Sequence, residues 1–400
     1  MVQWIPSVPR CTFAGIVYSF VGNFRPAALL WVLLLTAGWF PATTAHSGAV
    51  TLSYAPPEEA GFDPVALEEA VGLFRMAVAR DELRGVVLLV ARNGKVVVHE
   101  AIGWRDRENG RPMEKDTLIR MASNTKAIVA MAALLLAEEG KLSLEDPVAK
   151  HIPAFDKEGF RKITVAQLMA NSGGLPRSPI FLRGVADDSN LVLEAERFAK
   201  ALKMESEAGT KYGYSNAGYN ILGGVIEAVS GDRLDHFIDQ RIYRPLGMGD
   251  SNHHESTADQ SRMAKVYVRR GGEWRARWSP GDDPSYPIIR ASGGMISTAR
   301  DFAVFLQCWL NGGAYGNVRL LSPESVRLGL TVQSPDNSYG YGWRIGEDGE
   351  FSHGGSDGTF AWGDPRRGII GLVFTQSPGG DNPRDEFRRK VTEALAAVSD

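Results

Sequence analysis

Ile119-Arg120-Met121-Ala122-Ser123-Asn124-Thr125-Lys126 runs straight into Ala127-Ile128-Val129-Ala130-Met131-Ala132-Ala133-Leu134-Leu135-Leu136-Ala137. The second stretch is apolar all round and helix-forming, so it reads as a helix buried on every side. Ser123 and Lys126 stand three apart at its head, one above the other on a helix, so the Lys126 amine reaches back to the Ser123 hydroxyl. Unpaired N–H groups at the helix start favour negative charge there. A serine hydroxyl is a poor nucleophile until something takes its proton, and a partly buried lysine, with its charged form disfavoured, is suited to that task. Alone the pair is weak: a helix N-cap followed by a solvated lysine has the same pattern.

Two further motifs follow in order. Tyr214-Ser215-Asn216 sits inside Lys211-Tyr212-Gly213-Tyr214-Ser215-Asn216-Ala217-Gly218-Tyr219, and His353-Gly354-Gly355 comes near the C-terminus. S-x-x-K, then Y-x-N, then a basic residue with glycine two positions on resembles the serine β-lactamase and penicillin-binding-protein superfamily, in its class C-like branch of β-lactamases, D,D-peptidases, D-aminopeptidases and carboxylesterases. The likeness extends from about Pro57 to about Gly380. It includes Gly140-Lys141-Leu142-Ser143-Leu144-Glu145-Asp146-Pro147-Val148, Gln167-Leu168-Met169-Ala170-Asn171-Ser172-Gly173-Gly174-Leu175-Pro176 and Gly293-Gly294-Met295-Ile296-Ser297-Thr298-Ala299-Arg300-Asp301.

The resemblance implies an α+β fold of the β-lactamase/transpeptidase type: an antiparallel sheet flanked by terminal helices, with a helical lobe and the active site between the two. It divides residues 46–400 into an α/β lobe of about 57–122 and 291–400 and a helical lobe of about 123–290. It implies an acyl-enzyme on Ser123, with Lys126 or Tyr214 as proton acceptor; the sequence leaves that choice open, because coupled groups share their titration. Asn216 is expected to donate an amide hydrogen bond to Lys126 or to a substrate carbonyl. The N–H groups of Ser123 and Ser356 are expected to form the oxyanion hole, with Gly354 and Gly355 permitting close backbone approach. No metal or cofactor is implied.

His353 departs from the commoner Lys-Thr-Gly. An imidazole there replaces the permanent cation that helps hold a β-lactam carboxylate. It is expected to contact the acyl carbonyl or tune Tyr214, and it favours an ester, amide or peptide substrate, as for a carboxylesterase or D,D-peptidase. The alternatives are a true β-lactamase and a non-catalytic peptidoglycan- or penicillin-binding sensor. Against the sensor stands the intact Ser–Lys pair, for which a binder has no use.

The 400 residues are 44% hydrophobic and 23% charged, with a net charge of −3. That is ordinary for a chain with a sizeable core, and it supplies no basic field for nucleic acid. The densest basic patch, Arg269-Arg270 with Arg275 and Arg277, reads as a solvated hairpin. Residues 1–45 differ: Arg10 and Arg25 without acids, an apolar run from Ala27 to Phe40, then Ala42-Thr43-Thr44-Ala45. This describes a secretory signal or an N-terminal anchor, and so a periplasmic or secreted protein acting on a small-molecule or peptide substrate. Cleavage after Ala45 would remove Cys11 and leave Cys308 single, buried in a helix and unable to form an internal disulfide.

Local signals sketch the rest. Asp63 caps a helix from Pro64 to Arg80. Asn93-Gly94 between Val86–Val90 and Lys95–His99 predicts a tight hairpin. Helices are expected over 220–230, 234–243, from Ile296 to Leu310 and over 384–398, and strands over 339–345, 350–353, 359–362 and 368–375. Gly354-Gly355-Ser356-Asp357-Gly358 matches the nucleophile elbow G-x-S-x-G, but a strand, not a helix, is expected after it. Gly249-Asp250-Ser251 and His253-His254-Glu255 read as solvated loops.

Overall fold

The computed structural model describes residues 48–395; the expected leader lies outside them. Asn93 and Gly94 both take positive φ (49° and 82°), the twist a two-residue hairpin requires, and join strands Gly85–Arg92 and Lys95–Asp106. These are neighbours in an eight-stranded sheet. Its order is Ser53–Tyr54, Lys95–Asp106, Gly85–Arg92, Ile369–Thr375, Thr359–Asp364, Phe351–Gly354, Arg344–Ile345, with Arg111–Pro112 added on Lys95–Asp106. All neighbours are antiparallel except Ser53–Tyr54, which runs parallel to Lys95–Val96. The helix Pro64–Ala79 and the strand Gly85–Arg92 intervene between those two, and a long crossover is what a parallel pair needs.

Gly85–Arg92 is an unbroken apolar run because both faces of the sheet are covered. Val86, Leu88 and Val90 pack with Leu67, Val71 and Phe74 of Pro64–Ala79 and with Phe387 and Val391 of the helix Arg384–Glu393. Val87, Leu89 and Ala91 point the other way, into the core shared with the helices Thr125–Glu138 and Ala299–Leu310. Alternation of period two thus feeds two apolar layers. The Asp63 carboxylate accepts from Val65 N–H (2.9 Å), capping the N-terminal helix as its sequence predicts. Cys308 is fully buried, and burial pushes its thiol up to about 12.

Every residue from Thr125 to Leu136 is buried. Around this axis lie the helices Leu191–Ala201 and Asn216–Ser230, the latter capped by Ser215 and closed by Gly231 in the left-handed conformation. The expected 234–243 helix is α only over Leu234–Ile238, then passes through a π turn. The expected strand over 339–345 is reduced to Arg344–Ile345. Gly342 has φ +79°, and a β-carbon there would lie 2.8 Å from the Ala127 Cα, so the chain bends to press on the central helix. The expected 384–398 helix ends at Glu393. No helix among the described residues is long and apolar enough to cross a membrane.

Trp362 is paired across the sheet with Gly371, and a β-carbon on Gly371 would intrude into the buried indole. Gly371→Ala should therefore lower the unfolding free energy by about 1–3 kcal/mol, read as a fall of about 2–4 °C in Tm per kcal/mol. An unchanged Tm would mean the indole repacks freely.

Candidate active site

Lys126, fully buried, has three polar neighbours: its Nζ lies 2.7 Å from the Ser292 carbonyl, 3.0 Å from Asn216 Oδ1, which accepts where the amide was expected to donate, and 3.3 Å from Ser123 Oγ. Aromatic rings enclose the rest, with the Tyr214 and Tyr219 centroids at 4.7 and 5.3 Å. Burial, then the nearby charges of Arg290 and Arg177, hold the amine well below the ordinary lysine range. Tyr214 shifts the other way. Burial pushes its phenol up to about 12, although contact with the Ser123 hydroxyl opposes the rise.

Ser123 is held on a strained turn. Ala122 has φ +47°, unusual for a residue with a β-carbon, and Ser123 follows in a single 3₁₀ turn ahead of the helix. Thr125 Oγ1 donates to the Ala122 carbonyl (2.6 Å), and Met121 N–H donates to Met295 O (2.9 Å). Asn124 Nδ2 donates to Thr359 Oγ1 (2.9 Å), which in turn donates to the Met121 carbonyl (3.0 Å). These bonds surround the strained residue, and they tie the turn to the strand after Ser356. The β-carbon of any other residue at Gly355 would lie 2.5 Å from that same Met121 oxygen. Gly355 therefore permits the two segments to touch.

Tyr214 and Asn216 are set by a second device. Ser215 Oγ accepts from Gly218 N–H (2.9 Å) as helix cap and donates to the Pro176 carbonyl (2.6 Å). Asn171, in the left-handed conformation (φ 54°), accepts from Ser215 N–H on its side chain (3.0 Å) and from Gly213 N–H on its carbonyl (2.7 Å).

One cleft of about 500 Å³ is lined by Ser123, Tyr214, Asn216, His353, Gly354 and Ser356, bringing together every candidate side chain but that of Lys126, which lies beneath its floor. Neither Ser123 N–H nor Ser356 N–H has a hydrogen-bond partner among the described residues. Thr359–Asp364 is a strand, so the G-x-S-x-G match at Ser356 lacks its helix.

His353 corrects an expectation. Its Nδ1 lies 2.9 Å from the Gly354 carbonyl, so that nitrogen carries the proton and donates, while Nε2 accepts from the Tyr339 hydroxyl (3.0 Å). Burial lowers the imidazole to about 3. Both nitrogens are occupied and the ring stays neutral, so it neither titrates near 6.5 nor offers a free donor to a substrate. The cleft has charge nonetheless: Arg177, Arg290 and Arg344 line it, and no Asp or Glu does. Arg177 and Arg344 are exposed and pair with no carboxylate among the described residues. Sequence reading missed these arginines, together with Ser292 and Asn171. The His253-His254-Glu255 expectation is also corrected: His253 and Glu255 are buried, and Glu255 pairs with Arg120 (3.1 Å).

A family model described as Beta-lactamase matches residues 71–396. The Escherichia coli O157:H7 protein named "Putative D-alanyl-D-alanine carboxypeptidase" is 30% identical over 330 residues, covering 74% of this chain and 75% of that one. Among solved structures, EstCE1, a hydrolase with promiscuous acyltransferase activity, superposes with a TM-score of 0.71 at 22% identity, covering 83% of this chain and 99% of its own. The octameric penicillin-binding protein homologue from Pyrococcus abyssi superposes with a TM-score of 0.68 at 25% identity, covering 82% and 77%.

Asn171→Ala removes the acceptor for Ser215 N–H and places an alanine in the left-handed region. It should cost roughly 1–3 kcal/mol of stability and slow fluorophosphonate labelling of Ser123 by about 10-fold or more. Urea unfolding and labelling kinetics measure the two effects, and wild-type values for both would show that the Tyr214 loop is held by other contacts.

Proposed function

The chain belongs to the Beta-lactamase family and is a hydrolase of the serine β-lactamase and penicillin-binding-protein fold, and from that premise we propose that it cleaves amide, peptide or ester bonds through an acyl-enzyme on Ser123, with Lys126 as the base and a substrate carrying a carboxylate near the reacting carbonyl. The observation that carries this reading is the coordination of Lys126. A neutral amine has two N–H bonds and one lone pair. Ser292 O and Asn216 Oδ1 are both acceptors and take the two N–H bonds, which leaves the lone pair for the Ser123 O–H. Lys126 then accepts the Ser123 proton as Oγ bonds to the carbonyl carbon. The oxygen of the tetrahedral intermediate falls to the unpartnered N–H groups of Ser123 and Ser356. The leaving group departs with a proton returned from the amine.

Tyr214, held up to about 12, keeps its proton at neutral pH, which supports a role as donor or relay beside the leaving group and not as base. Asn216 uses its carbonyl on Lys126, leaving its amide N–H groups for a substrate carbonyl. The unpaired Arg177 and Arg344 support an anionic substrate, since a guanidinium takes a carboxylate in a bidentate pair worth about 1.5–3 kcal/mol. The E. coli relative's name agrees with a peptide ending in a free carboxylate. On the same reading the protein acts outside the cytoplasm, as the signal-like residues 1–45 suggest.

Side-by-side assays of diacetyl-Lys-D-Ala-D-Ala, its C-terminal amide, p-nitrophenyl butyrate and nitrocefin test the proposal. The free-acid peptide should exceed its amide in kcat/KM by roughly 10-fold or more, as one charge-assisted pair allows. Arg344→Gln should erase that preference, and Ser123→Ala should abolish all turnover. Equal turnover of acid and amide would contradict the anionic substrate, and activity in Ser123→Ala would contradict the nucleophile.

A further inference from the structure

A second group of charges, none of which contacts Ser123 or Lys126, lies behind the oxyanion side of the cleft. Arg120 Nη2 lies 3.1 Å from Glu255 Oε1, and Arg120 Nε lies 3.5 Å from Asp357 Oδ2; the side chains of all three are 8% exposed or less. Arg277 reaches Asp357 from the hairpin of Val266–Arg270 and Glu273–Trp278, and Arg290 Nη2 lies 3.4 Å from Glu255. Arg120 also donates to Ser285 Oγ (2.8 Å) and lies over the Trp278 ring (4.8 Å). The basic hairpin is thus not merely solvated.

The positions of these residues in the chain matter. Arg120 precedes Ser123 by three residues, Arg290 precedes Ser292 by two, and Asp357 directly follows Ser356. Ser356 and Asp357 occupy the middle of a tight turn closed by Gly358 N–H to Gly355 O (3.0 Å) and Gly355 N–H to Thr359 O (2.7 Å). Within that turn the Asp357 carboxylate reaches across to Arg120 on the nucleophile's strand, beside the bond of the Thr359 hydroxyl to the Met121 carbonyl. Gln376 seconds it, donating through Nε2 to both Arg120 O (3.2 Å) and Asp357 O (3.3 Å). A buried carboxylate between two guanidiniums tolerates little displacement, because moving away strands a charge without water.

We infer that Asp357, held between Arg120 and Arg277, is a positioning residue that sets the Ser356 N–H against Ser123 and so fixes the spacing of the oxyanion hole. This deepens the acyl-enzyme reading and rests on it. Asp357 touches no reacting atom; it acts through the main chain of its neighbour. Its contribution is therefore expected in the tetrahedral state and not in ground-state binding.

The test uses the full chain as wild type, Asp357→Asn and Arg277→Gln, with phenylboronic acid as a tetrahedral adduct of Ser123 and p-nitrophenyl butyrate as substrate. Asp357→Asn should weaken boronate binding and lower kcat together by about 10–100-fold, with KM within about twofold of wild type. Arg277→Gln, a change on a half-exposed hairpin side chain, should move both in the same direction by a smaller factor, and it carries the test if Asp357→Asn does not fold. Boronate affinity and kcat within twofold of wild type in the folded variants would overturn the inference, as would a rise in KM alone. Wild-type labelling of Ser123 by a fluorophosphonate separates the two levels. If wild type is labelled and the variants are unaffected, the positioning role fails alone; if wild type is unlabelled, the acyl-enzyme reading fails and takes this inference with it.

Discussion

An amine buried without a carboxylate is the constraint on which the rest of this structure depends. Lys126 faces two carbonyl oxygens, one hydroxyl and two aromatic rings, and no acidic side chain lines the cleft above it. Burial disfavours the charged form there, and the amine's pKa lies well below the ordinary lysine range. The sign of the consequence for stability follows from linkage. The folded pKa is lowered, so between that value and 10.5 the unfolded chain binds a proton that the native chain does not. Lys126 therefore costs stability throughout that window, by about 1.4 kcal/mol for every tenfold weakening of its hold on the proton, and the cost is greatest below the folded pKa. The apolar length of the Thr125–Glu138 helix, buried on all sides, offsets it. On the proposed reading, stability is given up at this one position for a base.

The same economy of charge shapes the cleft. Arg290 and Arg177 raise the local potential and so help to keep the amine neutral; the first is tied back by Glu255, while the second carries no counter-ion among the described residues. On the proposed reading, a positive cleft beside an uncharged amine would attract an anionic substrate without quenching the nucleophile's partner. A carboxylate placed beside Lys126 would do the opposite, re-protonating the amine. The neutral His353 fits this arrangement: its nitrogens are committed to Tyr339 and Gly354, while guanidiniums line the cleft from other segments.

Much of this was legible in the sequence, because local chemistry governs it. Asn93-Gly94 can do little but turn a hairpin, Asp63 caps the helix it precedes, and the spacing of Ser123 and Lys126 survives into the fold because the 3₁₀ turn of Ser123 runs directly into the helix of Lys126. The strand over 339–345 misled because alternating Tyr339, Tyr341 and Trp343 mimic a strand, whereas Gly340 and Gly342 let the segment bend against the central helix. The arginines were illegible for a different reason. Arg177, Arg290 and Arg344 come from three distant segments, and a lone arginine in sequence gives no sign of which cavity it will face. The charge state of His353 was equally hidden, since it depends on Tyr339 and on burial, neither of which adjoins the motif in any recognisable pattern.

The protonation of Lys126, on which the proposed chemistry depends, can be observed directly. With lysine labelled at Cε, the ¹³C shift of Lys126 can be assigned by its loss in Lys126→Met and followed with pH. The expected result is a transition well below 10.5, with the amine neutral under the conditions in which Ser123 reacts. A Lys126 resonance that still reports a charged ammonium above about pH 10, the ordinary lysine range, would contradict it and would return the role of base to Tyr214.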